Sequence, residues 1–187
     1  MYEQLTKYIQ DNIPATEKEL ELILSYFKPL TIKKNELLGG QRMFFVVKGC
    51  LRIFFIQEDG QDITRYLAFE NNFATALVSF ISQEPSLEFI QTLENTELLY
   101  ISRRDFHHLL DTIPLWDKFY RHYLEHAYVT NTNRLMSFIT MDAIERYRIL
   151  LKENPIIVQR LPNKIVASYL NISQETLSRI KSKKRPS

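Results

Sequence analysis

The sequence predicts an α+β fold, in which an N-terminal antiparallel β-roll or jelly roll is followed by a long central helix and a C-terminal helix-turn-helix. Three observations lead there. Short runs rich in Phe, Val and Ile recur at close spacing between Met43 and Ile101, with turn residues between them. Helical spacing then takes over at Arg103, and from Pro114 to about Phe138 it is uninterrupted. Finally, Ile165 to Ile180 holds two short helical patterns that meet at a three-residue turn. The implied division is residues 1–111 for the roll and its flanking helices, 112–138 for a central dimerisation helix, and 139–187 for the helix-turn-helix domain.

Thr16 supplies an N-cap, and Glu19 three residues later completes a capping box. Leu20, Ile23, Leu24 and Phe27 then form one apolar stripe, so residues 16–27 are helical. Beyond Pro29 the period shortens. Residues 43–57 contain two strand-like runs broken at Lys48-Gly49, and Glu58-Asp59-Gly60 makes a turn into a strand from Asp62 to Phe69. Two further strands fit Leu87–Leu93 and Thr96–Ile101, joined around Glu94-Asn95. A helix covers Arg103–Leu110, and Pro114 sits in the first turn of the long one. That helix is apolar on two faces: Leu115 and Phe119 make one stripe, and Trp116, Tyr120, Tyr123 and Ala127 another. One face covers the roll; the other needs a partner, and a second copy of the chain gives a parallel homodimer. A further helix is expected from about Thr140, as its cap, to Glu153, where Asn154-Pro155 ends it and Ile156–Leu161 connects onward.

In the C-terminal pair, Val166, Ala167, Leu170, Ile172, Leu177 and Ile180 are the apolar set that locks two helices together. A bulky side chain at Ala167 would keep the helices from crossing closely. Ser173 is a natural N-cap for the second helix. Gln174, Glu175, Thr176, Ser178, Arg179 and Lys181 are then left on its outer surface, which is how a major-groove reader is built. Charge agrees with this. From Arg160 onward there are seven Lys and Arg against Glu175 alone, a local +6, whereas the preceding 159 residues carry 17 basic and 21 acidic groups, or −4. Phosphate attraction is thus concentrated at one end of the chain.

The remaining chemistry is sparse. Cys50 is the only cysteine, which excludes an intramolecular disulfide and a four-thiolate iron–sulfur cluster; a buried structural thiol is expected. His122 and His126 stand four apart on one helix face, where they could share a metal with His107-His108 nearby, but no carboxylate set completes a metal site. There is no glycine-rich phosphate loop among four glycines and no Ser-His-Asp pattern, so neither catalysis nor a bound metal or cofactor is expected. The N-terminus lacks a basic segment followed by an apolar run, and no stretch approaches membrane-spanning length, so a cytoplasmic chain without membrane contact is expected.

Over nearly its whole length the chain resembles the Crp–Fnr family, the cyclic-AMP-receptor-like bacterial transcription regulators. The resemblance rests on Ala167–Ile180, on Phe45-Val46-Val47-Lys48-Gly49-Cys50-Leu51-Arg52 and on Glu145-Arg146-Tyr147. It implies a cyclic-nucleotide-binding-type roll, a dimerising central helix and a helix-turn-helix that binds a two-fold-related double-stranded operator, with RNA polymerase as a further partner. Gln174-Glu175-Thr176-x-Ser178-Arg179 falls on the family's base-reading stretch. Glu175 would accept from cytosine N4 and Arg179 would pair bidentately with guanine. Gln174 stands where relatives often carry Arg, so sequence preference differs. Ser173, Thr176 and the Lys181, Lys183, Lys184 and Arg185 group are expected on phosphates, which position without specifying.

The chain departs from the family pattern twice. Nucleotide-binding members carry a Gly-Glu pair opening a short helix, then an Arg-Ser or Arg-Thr pair. Here Thr75-Ala76 replaces the first, and no Arg occurs between Arg65 and Arg103, while Glu88 adds charge of the wrong sign for an anion. The effector is therefore expected not to be a cyclic nucleotide; the roll either takes another small molecule or serves as a scaffold. The family also often continues into a β-hairpin wing. Only seven residues follow Ile180, so either the Lys183-Lys184-Arg185-Pro186 tail touches phosphates instead or the chain is a piece of a longer one. A module without that wing is expected to bind DNA less tightly, with a salt slope smaller by about 0.9 per lost contact. The competing reading is a small-molecule-binding or scaffold protein whose terminal helices contact protein and not DNA.

Overall fold

The short apolar runs become strands because branched and aromatic side chains pack well on a pleated surface, alternating between its faces. The computed structural model describes residues 1–39 and 41–182. In chain order it contains α1 (Tyr2–Asn12), α2 (Glu17–Ser25), β1 (Lys28–Ile32), β2 (Leu37–Leu38), β3 (Arg42–Lys48), β4 (Leu51–Ile56), β5 (Asp62–Ala68), β6 (Phe73–Ala74) and α3 (Leu77–Ser82). Then follow β7 (Phe89–Thr92), β8 (Thr96–Ser102), α4 (Arg103–Thr112), α5 (Pro114–Thr140), α6 (Ala143–Glu153), α7 (Pro155–Arg160), α8 (Asn163–Leu170) and α9 (Gln174–Ser182). The expected α+β class is what is found: an antiparallel roll, a long helix and a run of C-terminal helices. Among the described residues no helix is long and apolar enough to cross a membrane.

The roll has two four-stranded sheets, ordered β1-β8-β3-β6 and β2-β7-β4-β5. β3 and β8 pair from Arg42↔Ser102 to Lys48↔Glu97, with a register shift between Val46 and Lys48. The chain reverses just after it at Gly49, whose φ of +105° no side-chain-bearing residue adopts easily. β4 and β5 form a hairpin closed at Gly60, where φ is +82° and the Gly60 N–H donates to the Gln57 carbonyl at 2.9 Å.

The described chain divides into two compact units, one made of Met1–Phe54 with Leu67–Ala127, the other of Phe55–Tyr66 with the chain from Tyr128 onward. The core of the first is aromatic. Met43, Phe45 and Val47 of β3 pack with Leu5 and Ile9 of α1, Ile23 of α2, Phe106 of α4 and Trp116 and Phe119 of α5. Trp116 and Phe119 stack at 4.3 Å, and Phe73 makes edge or tilted contacts with Tyr8, Phe27, Phe45 and Phe119. Each such pair adds roughly 0.5–1.5 kcal/mol beyond simple area burial.

Several local expectations change. The Thr16–Glu19 capping box is present at α2. The cap of α6, however, is Asp142 and not Thr140: the N–H groups of Ile144 and Glu145 both donate to Asp142 Oδ1 at 2.8 Å, and Glu145 returns the bond to the Asp142 N–H. Thr140 lies in the last turn of α5 and donates back to the Met136 carbonyl. Asp142-x-x-Glu145 is a full capping box, which Thr140-x-x-Ala143 cannot be. The expected connection Ile156–Leu161 is mostly the short helix α7, with Pro155 in its first turn. On α5 the two apolar stripes merge. Trp116 and Phe119 are buried in one core, and Leu115, Tyr120 and Tyr123 pack against that same core. The apolar residues that remain exposed lie further along the helix, at Tyr128, Val129, Leu135, Met136 and Ile139.

Candidate nucleic-acid interface

The two C-terminal helices are held by their own apolar seam. Val166 and Leu177 are fully buried, with Ala167, Leu170 and Ile180 nearly so and Ile172 half-buried. α8 stops because Asn171 takes the left-handed conformation, φ +51°, and the Ile172 N–H closes back on the Ala167 carbonyl at 3.1 Å. α9 starts at Gln174, after the three residues 171–173. Its Thr176 N–H donates to Ser173 Oγ at 3.1 Å, so Ser173 caps the helix as its sequence position suggests. The turn is therefore fixed at both ends by local hydrogen bonds.

This geometry presents one face of α9 outward. Gln174, Glu175, Ser178 and Arg179 are exposed, opposite buried Leu177 and Ile180; Thr176 is half-buried. Three of the expected contact residues are joined to each other. Ser173 Oγ donates to Thr176 Oγ1 at 2.9 Å, and Arg179 Nη2 donates to the same oxygen at 3.2 Å. A hydroxyl accepting two bonds has one proton left to donate. The ammonium of Lys181, expected on phosphates, donates to Asn163 Oδ1 in the first turn of α8. Glu175 lies in the first turn of α9 and Arg179 and Lys181 in the last, the arrangement that complements the helix dipole. Lys183 and Lys184, with the rest of the basic tail, lie outside the described residues.

Behind this pair is a polar cluster that the sequence does not announce. Thr64, on β5, is fully buried, and its N–H donates to Ser168 Oγ of α8 at 2.9 Å. The two hydroxyl oxygens are 2.8 Å apart, and Ser168 Oγ donates to the Asp62 carbonyl at 2.9 Å. Arg134 of α5 donates to the carbonyls of Thr64, at 2.7 Å, and Tyr169. Its guanidinium also lies over the Tyr169 ring, 4.0 Å from the centroid, and over Phe138 at 4.8 Å. Burial pushes the Arg134 pKa down from its ordinary value.

In the segment corresponding to a phosphate cassette, Thr75 and Ala76 are buried. The Thr75 hydroxyl donates to the Arg42 carbonyl at 2.9 Å, and Ser79 Oγ donates to the Glu84 carbonyl at 2.7 Å. Both hydroxyl protons are thus engaged by backbone. A surface cleft of about 470 Å³ opens elsewhere, beside α4, lined in part by Arg103, Arg104, His107 and His108. Arg103 Nε is held there by the Phe80 carbonyl at 2.6 Å, and the His107 ring stacks on Phe80. Among the described residues no three of His, Cys, Asp and Glu converge on a position that would hold a metal ion. Cys50 is fully buried, as expected for a structural thiol.

Residues 32–113 match the family described as Cyclic nucleotide-binding domain. No curated protein matches the sequence. Solved structures do resemble it. FixK2 from Bradyrhizobium japonicum aligns with a TM-score of 0.73 at 14% identity, over 84% of this chain and 83% of that one. CLP of Xanthomonas campestris, a c-di-GMP-responsive global regulator, aligns at 0.69 with 16% identity, covering 90% of this chain and 91% of its own. The Thermus thermophilus catabolite activator protein aligns at 0.54 with 22% identity, over 90% and 83%. At these identities the likeness establishes a shared fold.

Proposed function

We propose that this chain is a dimeric, sequence-specific DNA-binding transcription regulator of the Crp–Fnr type, working in the cytoplasm. The observation that carries the reading is the outer face of α9, where Gln174, Glu175, Ser178 and Arg179 stand exposed on a helix capped by Ser173 and locked onto α8. Such a helix fits the major groove, with Arg179 suited to guanine and Glu175 to cytosine N4. Ser173, Thr176, Lys181, Lys183 and Lys184 are the proposed phosphate contacts, and the exposure of Ser173 supports this reading. The fold shared with FixK2 and CLP supports the same reading.

The dimer seam is proposed on α5. Tyr128, Thr132, Leu135 and Ile139 follow one another at steps of four, three and four, and all four are exposed in the protomer. The compact Thr132 side chain leaves room for its bulkier neighbours to interdigitate with those of a second helix. The proposed division is a roll over 1–111, a dimerisation helix over 112–138 whose seam continues to Ile139, and a reading domain over 139–187, with RNA polymerase as a further proposed partner. The engaged Thr75 and Ser79 hydroxyls, and the lack of an arginine in that segment, support an effector other than a cyclic nucleotide.

Selection from random duplex pools tests the reading. One two-fold-related sequence is expected to be enriched, and Arg179→Ala is expected to weaken its binding by about five- to 150-fold, as loss of a bidentate base contact does. Unchanged binding of the selected sequence by that variant would remove α9 as the reader. No enrichment of any duplex would instead favour a scaffold whose helix pair contacts protein.

A further inference from the structure

Arg134 is half-buried, and the Arg65 and Arg146 cations add to the burial that disfavours its charge. Enclosing a cation beside other cations is costly, and a methionine or leucine would fill similar space without that cost. What an apolar side chain cannot do is bridge. One guanidinium nitrogen, Nη2, donates both to the Thr64 carbonyl, on the hairpin arm Phe55–Tyr66, and to the Tyr169 carbonyl, near the end of α8. Arm, α8 and the Tyr128–Thr140 half of α5 all belong to the second compact unit.

A second bridge runs beside the first. Because Ser168 Oγ donates its one proton to the Asp62 carbonyl, Thr64 Oγ1 must be the donor in the hydroxyl pair. Ser168 then accepts two bonds, from the Thr64 N–H and from its hydroxyl, and donates one, so the group is saturated. Arg65 Nη1 adds a bond from the arm to Asn131 of α5 at 3.1 Å. α8 is therefore tied through Ser168 to the arm and through Tyr169 to Arg134 of α5, and the arm is itself tied to α5.

The position of Arg134 on α5 gives this a direction. At about 100° per residue, Arg134 and Phe138 lie roughly a quarter to a third of a turn round the helix from Tyr128, Thr132, Leu135 and Ile139. One face of a single rigid segment thus carries the proposed seam, and the neighbouring face carries α8. We infer that Arg134 is a positioning residue for DNA reading: with Thr64 and Ser168 it clamps α8 to α5 and so sets the separation of the two recognition helices in a dimer. The inference rests on the DNA-reading proposal above. Half-sites on one face of DNA must be about 34 Å apart, so a loose attachment would leave each helix able to read but the pair unable to keep phase.

The experiment uses the full chain and the duplex selected by the wild-type protein, in three forms: the complete site, a single half-site, and complete sites with one or two base pairs added or removed at the centre. Arg134→Met is expected to weaken binding to the complete site by about tenfold, the loss of charge-assisted hydrogen bonds. Half-site binding is expected to stay within about twofold, and the sharp spacing preference of the wild type to flatten. Arg134→Lys, which keeps the charge but loses the planar group lying over Tyr169 and Phe138, is expected to fall between the wild type and Arg134→Met. Ser168→Ala, which leaves the guanidinium and both its carbonyls in place, is expected to shift the spacing profile in the same sense. Equal loss on half-site and complete site, an unchanged spacing profile, or tighter binding by Arg134→Met would each overturn the positioning role. A wild-type protein that selects no duplex would overturn the DNA reading itself, and the clamp's purpose with it. A wild type that selects a two-half-site operator, with variants that keep its spacing preference, would overturn the clamp alone.

Discussion

Three glycines separate two physical costs that are usually confounded. A Cβ at Gly49 would sit 2.6 Å from Thr96 Oγ1 and 3.0 Å from Thr96 Cα, and φ there is +105°. At Gly60 φ is +82°, but nothing lies within 4 Å of the added carbon; at Gly39 the space is also open. Forcing an L-residue to positive φ costs about 1–2 kcal/mol. The contact at Gly49 involves the backbone of β8, which rotating a side chain cannot relieve, and adds roughly 1–3 kcal/mol. Alanine also restricts the unfolded chain, which returns about 0.4–1 kcal/mol at each site. Gly49→Ala is thus expected to destabilise by about 2–4 kcal/mol, Gly60→Ala by about 1 kcal/mol, and Gly39→Ala to be neutral or slightly stabilising. Urea unfolding followed by fluorescence is the assay. The only tryptophan, Trp116, is fully buried in the first unit and reports that unit directly. With a slope of about 2 kcal/mol per molar, Gly49→Ala should lower the midpoint by about 1–2 M. A midpoint within roughly 0.3 M of that of Gly60→Ala would refute the close approach of the Gly49 turn to β8.

The remaining expectations concern assembly and pH. Leu135→Lys places a charge in the proposed seam at a position 59% exposed in the protomer; the wild type is expected to sediment as a dimer and the variant as a monomer with little change in unfolding midpoint. A monomeric wild type, or an undisturbed dimer, would disprove the seam. His107 titrates below its ordinary value because burial, and secondarily the Arg103 cation, disfavour its charged form, against a smaller opposing pull from Asp111. The unfolded ring, with a pKa of about 6.5, therefore binds more protons than the folded one just below that pH. Stability is expected to fall as pH drops through about 6.5 toward the lowered folded value, and to be insensitive to this ring above it. His107→Gln should flatten the change in melting temperature between about pH 7.5 and about pH 5.5; an identical drop in both proteins would exclude this ring as the cause.

Local rules held where the stabilising partners are close in sequence. The Thr16–Glu19 box, the Lys48-Gly49 break, the Gly60 turn and the Ser173 cap each involve groups within a few residues of one another. The α6 start was equally local, since Asp142-x-x-Glu145 is a complete capping box, but Thr140 competes as a cap and the boundary moves by two residues. The strands β1 and β2 have no such local signature. Lys28–Ile32 includes Pro29 and is a strand because β8 offers it an antiparallel partner from Tyr100 to Thr96. The merged stripes of α5 show the same limit: periodicity places Trp116 and Phe119 on a helix, but only the aromatic cluster around Phe73 and Phe106 shows that one core takes both.

The proposed reading surface was legible because a helix-turn-helix is a short-range object, with cap, turn and seam all contained between Ile165 and Ile180. Its attachment was not. Arg134, Thr64 and Ser168 are ordinary residues at ordinary places in their helix or strand, and these partners lie 35 to 106 residues away. The sequence by itself determined α2, α5, α8, α9 and the strands from β3 to β5, and which face of α9 is polar, because periodicity and capping act within a turn or two. Tertiary structure alone decided what Arg134 bridges, where Lys181 is held and which apolar residues of α5 stay exposed. Those outcomes depend on which distant backbone groups burial leaves within hydrogen-bonding reach.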